Sequence, residues 1–180
     1  MLLRATGGGA GVVLFAGRQG AFEQAVNRYF GDLYRYAYWL CRNRWQAEDV
    51  VQESLTRAWR AWPGLREERA LKSWLFTIVH REHLRAVSRA PRPQADEDVA
   101  EPGYDPDPAR TLDLEDALRE LPEDSRDALL LQVLGGFSCA EIASVLDASE
   151  GAVMTRLTRA RQVLRRRLGA AETEKGVRQA

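Results

Sequence analysis

No part of the 180-residue chain reads as a β-strand, because its β-branched clusters fall inside helical periodicity rather than period-two alternation. Cysteine is scarce. Cys41 and Cys139 stand alone, with no CxxC and no Cys/His cluster, which excludes a disulfide framework and argues against a redox pair or a metal site. Two semi-buried thiols in a reducing cytoplasm are expected, and no cofactor. No run approaches the roughly 18–20 apolar residues of a membrane helix, so membrane insertion is not expected. Net charge is also missing: 26 Lys+Arg balance 26 Asp+Glu, so any electrostatic role must come from how charge is distributed. "MLLRATGGGAGVVLFAG" has the basic residue and short apolar run of a signal peptide, but its glycines weaken the apolar core and no clear cleavage site follows. Residues 1–20 are read as a disordered tail, or as extra residues from an early start codon.

Helix is what remains. "FEQAVNRYFGDLYRYAYWLCRN" spaces Phe22, Val26, Tyr29/Phe30, Leu33, Tyr36/Ala37 and Leu40 for one helical face. "QAEDVVQESLTRAWRAW" follows with Val51, Leu55, Ala58 and Trp62 on a stripe, and Pro63-Gly64 stops it. A third helical pattern, through residue 89, places Leu71, Trp74/Leu75, Ile78 and Leu84 inside.

Residues 90–112 change character. Prolines at 91, 93, 102, 106 and 108 and a run of acids leave little to bury, which predicts a flexible linker. About 22 extended residues reach roughly 70 Å, about two turns of B-DNA at roughly 34–36 Å each. The expected architecture is all-α: two small helical domains, 21–89 and 113–168, joined by the 90–112 linker and followed by a 169–180 tail.

The second domain is well punctuated. Pro122-Glu123-Asp124 opens a helix, Gly135-Gly136 closes it, and Ser138-x-x-Glu141 fits a capping box for the next. Asp147 takes the turn, and Ser149 can cap the last helix. Helices at 138–146 and 150–168 with a three-residue turn form a helix-turn-helix pattern, with Ile142, Val145/Leu146, Val153 and Leu157 as shared core. The last helix carries Arg156, Arg159, Arg161, Arg165, Arg166 and Arg167 against one acid, Glu150. A solvated face whose late arginines complement the helix dipole explains 165–167 well. Arg156 and Arg159 lie in the front half, the part that enters a major groove, and are read as base readers.

In the first domain Asp49, Gln52, Glu53 and Thr56 are spaced i, i+3, i+4, i+7 and share a polar stripe, a pattern that solvation alone can also produce. Trp59, Trp62 and Trp74 fit either a core or a pocket for an unstacked base, with core the default.

Taken together, "AEDVVQESLTRAWRAW", the Pro/Gly break, "LKSWLFTIVHREHLRAVSR", the acidic linker and "LPEDSRDALLLQVLGGFSCAEIASVLDASEGAVMTRLTRARQVLRRRL" resemble the extracytoplasmic-function (ECF) sigma factors over residues 21–168. The resemblance implies a subunit that binds core RNA polymerase and directs promoter recognition, with no catalysis of its own. It implies that Asp49, Gln52, Glu53 and Thr56 dock on the β′ clamp helices, and that the second domain meets the β flap. It places Arg66, Lys72, Trp74, Arg81 and Arg85 on the −10 element, and Ser149, Gly151, Thr155, Arg156 and Arg159 on the −35 element. Arg161, Arg165 and Arg166 then hold phosphate or complete the dipole, and an anti-sigma factor is an expected partner. Arg81 and Arg85 stand where family members often carry Asn and Asp, and Glu150 and Met154 replace commoner neutral or basic residues in the reader helix.

Three other readings compete with this one. A helix-turn-helix regulator that does not bind core polymerase usually pairs the motif with an α/β or ligand-binding domain. An enzyme would need more than His80 and His83 at i, i+3 with Glu82 between, since no third ligand or nucleophile is evident. A protein-interaction module leaves Arg156 and Arg159 unexplained.

Overall fold

The computed structural model describes residues 9–64, 70–89 and 108–178, with side chains described over 19–63, 70–89 and 114–168. Its helices are α1 (Gly9–Cys41), α2 (Arg44–Ala61), α3 (Leu71–Arg89), α4 (Pro108–Arg119), α5 (Glu123–Gly135), α6 (Cys139–Leu146) and α7 (Glu150–Arg178); a 3-10 turn at Trp62–Gly64 follows α2. Among the described residues there is no strand, as the all-α reading expects.

Three helix ends differ from the sequence-based boundaries. α1 begins at Gly9, inside the 1–20 segment read as tail, because no proline interrupts it there and an established helix gains one hydrogen bond per added residue. α4 begins at Pro108, inside the 90–112 segment read as linker, and proline is tolerated in a first helical turn. Residues 90–107 lie outside the described residues. α7 runs to Arg178, since 169–178 carries the helix formers Ala170, Ala171, Glu172, Glu174 and Lys175, and its two glycines, Gly169 and Gly176, do not stop it.

α1, α2 and α3 form the first unit. Arg42 turns the chain in the left-handed region (φ 54°), and Asn43 caps α2 by accepting the Gln46 N–H at 2.9 Å. Leu33, Tyr36 and Ala37 of α1, Ala47, Val51 and Ala58 of α2, and Leu75, Phe76 and Val79 of α3 fill the core. Phe22 packs edge-on to Trp59 and Trp62 at 5.1 and 5.2 Å, so those two tryptophans serve the core. Leu84, expected inside, is 47% exposed. The buried face of α3 runs through Phe76, Val79, His80 and His83, and one residue past His83 the helix has turned about 100° outward.

α4 to α7 form the second unit, and its punctuation follows the sequence closely. Gly136 (φ 64°) closes α5 in the left-handed region that glycine enters without steric cost. Ser138 and Glu141 make both halves of the capping box, with Glu141 Oε2 accepting the Ser138 N–H at 2.9 Å. Asp147 takes the left-handed turn position (φ 50°), and Ser149 Oγ accepts the Ala152 N–H at 3.2 Å. Ile142, Val145, Val153 and Leu157 are buried together as the helix-turn-helix core.

The two units are not held apart in the structure: α5 packs on α1 and α6 on α3. Phe76 meets Phe137 edge-to-face at 5.0 Å, and both rings are buried. Lys72 Nζ lies 5.5 Å from the Phe137 ring centre and 5.9 Å from that of Tyr29. Gly135 makes room for this ring, since a Cβ there would fall 2.4 Å from two Phe137 carbons. Gly135→Ala must displace Phe137 and is expected to cost about 1–3 kcal/mol, as overpacking does. A chemical denaturation midpoint equal to that of the wild type would contradict this packing.

Candidate nucleic-acid interface

Two adjoining patches of opposite sign lie on the first unit. On one, Asp49, Gln52, Glu53 and Thr56 are all set along the outer side of α2, as their spacing requires. They rim a cavity of about 530 Å³ that is also lined by Cys41, Val50, Ala86 and the buried Glu82 and His83. Thr56 Oγ1 donates to the Gln52 carbonyl at 3.0 Å, and Glu53 holds Arg57 at 3.1 Å. The patch is therefore an acidic rim around a floor that mixes apolar groups with the buried Glu82 and His83.

The other patch is basic. Trp74, Arg81 and Arg85 come together around a cavity of about 440 Å³, joined by Ile78 and by Arg57 and Arg60 of α2. Sequence reasoning does not find Arg57 and Arg60. Their i, i+3 spacing in "RAWRAW" is the available signal, and the apolar stripe of the same helix masks it. Lys72 does not join this group, because its ammonium sits over Tyr29 and Phe137 instead. Arg66 lies outside the described residues. Neither Arg60 nor Arg81 makes an ion pair among the described residues, so four guanidiniums surround an apolar wall of Trp74 and Ile78.

Between the units lies a buried polar cluster. Tyr36 Oη is 3.2 Å from His80 Nδ1, and Cys41 Sγ is 3.4 Å from His83 Nδ1. Burial holds both imidazoles at about 4, with His83 and Arg81 adding to the effect on His80 and Arg126 to that on His83. Burial likewise pushes the Cys41 thiol up to about 12, which makes it a poor nucleophile. Across the junction, burial raises Asp127 to about 7; its Oδ1 and Arg126 Nε have no hydrogen-bond partner among the described residues. Among the described residues no group of three His, Cys, Asp or Glu could hold a metal ion.

On α7 the structure separates the two arginines that the sequence put together. Arg156 turns toward α5 and pairs with Asp124 at 2.9 Å, while Arg159 is exposed and makes no ion pair among the described residues. Gly151, Thr155 and Arg159 share one exposed stripe at i, i+4, i+8, starting from the Ser149 cap, with Met154 (57% exposed) beside it. Further along, Arg161 donates to Gln132 Oε1 at 2.7 Å and Arg167 pairs with Glu120, both within the second unit. Arg165 and Arg166 stay exposed, without such partners among the described residues.

An acidic rim, a basic aromatic pocket and a helix-turn-helix lie on two small helical units, and the comparisons with known proteins make the chain a promoter-recognition subunit. Residues 25–92 match the Sigma-70 region 2 family and residues 111–164 the Sigma-70 region 4 family. The chain is 33% identical over 170 residues to the ECF RNA polymerase sigma factor SigM of Mycobacterium tuberculosis, covering 91% of this chain and 85% of that one. It is 31% identical over 176 residues to the ECF RNA polymerase sigma-E factor of Haemophilus influenzae, covering 84% and 89%. Among solved structures it resembles the sigma factor RpoE of Bartonella quintana in complex with the anti-sigma factor NepR, at TM-score 0.71 and 26% identity over 83% of this chain and 97% of that one. It also resembles CnrH in complex with the cytosolic domain of CnrY, at TM-score 0.63 and 30% identity over 86% and 92%. The chain belongs to the ECF RNA polymerase sigma factors, and its function is to direct promoter recognition and transcription initiation by core polymerase. The match to region 2 disfavours a helix-turn-helix regulator that never joins polymerase. Among the described residues no helix is long and apolar enough to cross a membrane.

Proposed function

We propose that the acidic rim of Asp49, Gln52, Glu53 and Thr56 docks on the β′ clamp helices, while the basic pocket takes an unstacked base and the phosphates beside it from the −10 element. The observation that carries this reading is the placing of opposite charge in two adjoining cavities along one α2–α3 pair: one suits a cationic protein surface, the other a nucleic-acid strand. Trp74 and Ile78 offer the stacking wall, and Arg57, Arg60, Arg81 and Arg85 the cations. Arg66 is assigned to the same strand by the family pattern, and Lys72 reaches it only once its cover by Phe137 is lifted. The second unit meets the β flap. An anti-sigma factor is a fitting partner, because the Bartonella relative was solved in complex with one. The protein works in the cytoplasm and acts by binding, without catalysis.

The −35 element falls to the exposed stripe of α7. Ser149, Gly151 and Thr155 bring the helix start close to the groove, and Arg159 reads base edges. Arg156, held by Asp124, orients the helix rather than reading. Arg165 and Arg166 hold phosphate; Arg161 does so only on leaving Gln132. Transcription from a library randomised over the −35 element tests this. Arg159→Ala should relax preference at particular positions by about 1–3 kcal/mol. Neutralising Arg165 and Arg166 should weaken every sequence alike and flatten the salt dependence by about 0.9 for each phosphate left without its cation. Arg156→Ala should leave the preferred sequence unchanged. Relaxed preference in Arg156→Ala but not in Arg159→Ala would reverse the assignment.

A further inference from the structure

We infer that Glu82 is a positioning residue for promoter-strand discrimination: from the adjoining acidic-rimmed cavity, which it lines, it clamps Arg57 of α2 and Arg85 of α3 into the wall of the basic pocket. This rests on reading that pocket as the −10 strand site. The Glu82 side chain is only 3% exposed. A carboxylate so buried is costly unless charge-assisted bonds satisfy it, and both of its oxygens are used. Arg57 Nε donates to Oε2, and Arg85 Nη1 donates to Oε1 at 3.1 Å. The two guanidiniums it holds come from different helices, yet both border the same cavity beside Trp74. They stay 37% and 48% exposed, so the clamp fixes their inner edges and leaves the outer edges for a ligand.

Arg57 is fixed from a second side as well, because its Nη2 lies 3.1 Å from Glu53 Oε1. A guanidinium held at two edges has little rotamer freedom left to lose on binding, which favours base-specific geometry over loose phosphate attraction. Arg60 and Arg81, in the same wall, have no such anchors among the described residues. Within the pocket the anchored pair is therefore suited to discrimination, and the unanchored pair to general attraction. Glu82 opposes that attraction, since it sets one negative charge behind four positive ones.

Those two effects separate in a measurement. Full-length protein, saturated with core polymerase, is first used to select single strands from a pool randomised over the −10 element. The enriched strand and a scrambled one are then titrated against wild type, Glu82→Gln and Glu82→Asp. Removing the charge should tighten binding of the scrambled strand slightly, while the preferred-to-scrambled ratio falls about tenfold, the scale of one well-placed arginine–base pair. Glu82→Asp keeps the charge but is too short for both bridges, so it should lower the ratio less and leave scrambled binding unchanged. If the ratio is unchanged in both variants, the positioning role is wrong. If both strands weaken in parallel, together with a lower melting temperature, Glu82 merely supports the fold. Should wild type itself prefer no strand, the assignment of the pocket to −10 DNA fails, and the role given to Glu82 fails with it.

Discussion

Asp49→Arg combined with Glu53→Arg is expected to abolish binding to core polymerase while leaving the helical circular dichroism unchanged. Both carboxylates lie on the solvent side of α2, so reversing their charge costs the fold little. Glu53 does hold Arg57, at 3.1 Å, but Arg57 keeps a second carboxylate in Glu82. At an interface with a basic surface the cost is much larger. Losing one partner of a buried interfacial charge pair typically costs about 2–5 kcal/mol, and a reversed charge adds repulsion. Two such losses move the dissociation constant by several orders of magnitude. Sedimentation or fluorescence anisotropy against core polymerase measures it. Wild-type affinity in the double variant would remove this face from the polymerase interface.

A second large effect is expected from pH, and its direction follows from the buried cluster between the units. His80 and His83 are held at about 4 against an ordinary 6.5, chiefly by burial. Below about 6.5 the unfolded rings take up protons that the folded rings refuse, so each histidine drains stability as pH falls from there toward 4. Asp127 opposes them. Raised to about 7 by burial, it is protonated in the folded chain across a range where the unfolded carboxyl is ionised, so it recovers stability as pH falls from 7 toward its ordinary 3.8. The remaining charges around the cluster are Arg81 on α3, Glu123, Asp124 and Arg126 on α5, and Arg156 on α7. Two histidines against one aspartate leave about one net proton, so unfolding free energy should drop by about 1.4 kcal/mol per pH unit between about 6.5 and 4. Asp127→Asn removes the opposing group and should roughly double that slope. Denaturant titrations at several pH values in this window read both slopes. A flat profile in the wild type, or equal slopes in the two proteins, would mean that the cluster is not buried in solution.

What could be read in the sequence was mostly local. Ser138 with Glu141, Asp147, Ser149 and Gly136 are each recognisable within a few residues, because caps and turns are decided by one or two side chains and the backbone next to them. The acidic stripe was legible for the same reason: four residues of one helix at helical spacing must share a side. The basic pocket was only half visible. Trp74, Arg81 and Arg85 lie on one helix, but Arg57 and Arg60 reach them from another, and a single-helix pattern carries no information on how two helices cross. Arg156 and Arg159 show the same limit from the other side. They are three residues apart on one helix, yet only the position of Asp124 on α5 decides that one turns inward. The packing of the two units was the least legible feature, since Phe76 and Phe137 lie 61 residues apart and each reads as ordinary core of its own unit.

Run-off transcription tests the central claim most directly. Core polymerase is given a genomic promoter library with and without this protein, and the new transcripts are mapped. The expected result is a set of start sites that appears only with the protein, sharing one −10 and one −35 sequence at fixed spacing. Replacing Arg159 should change the shared −35 sequence and leave the −10 sequence alone. An identical transcript set with and without the protein, under conditions where it still binds the library DNA, would contradict its role as a sigma subunit.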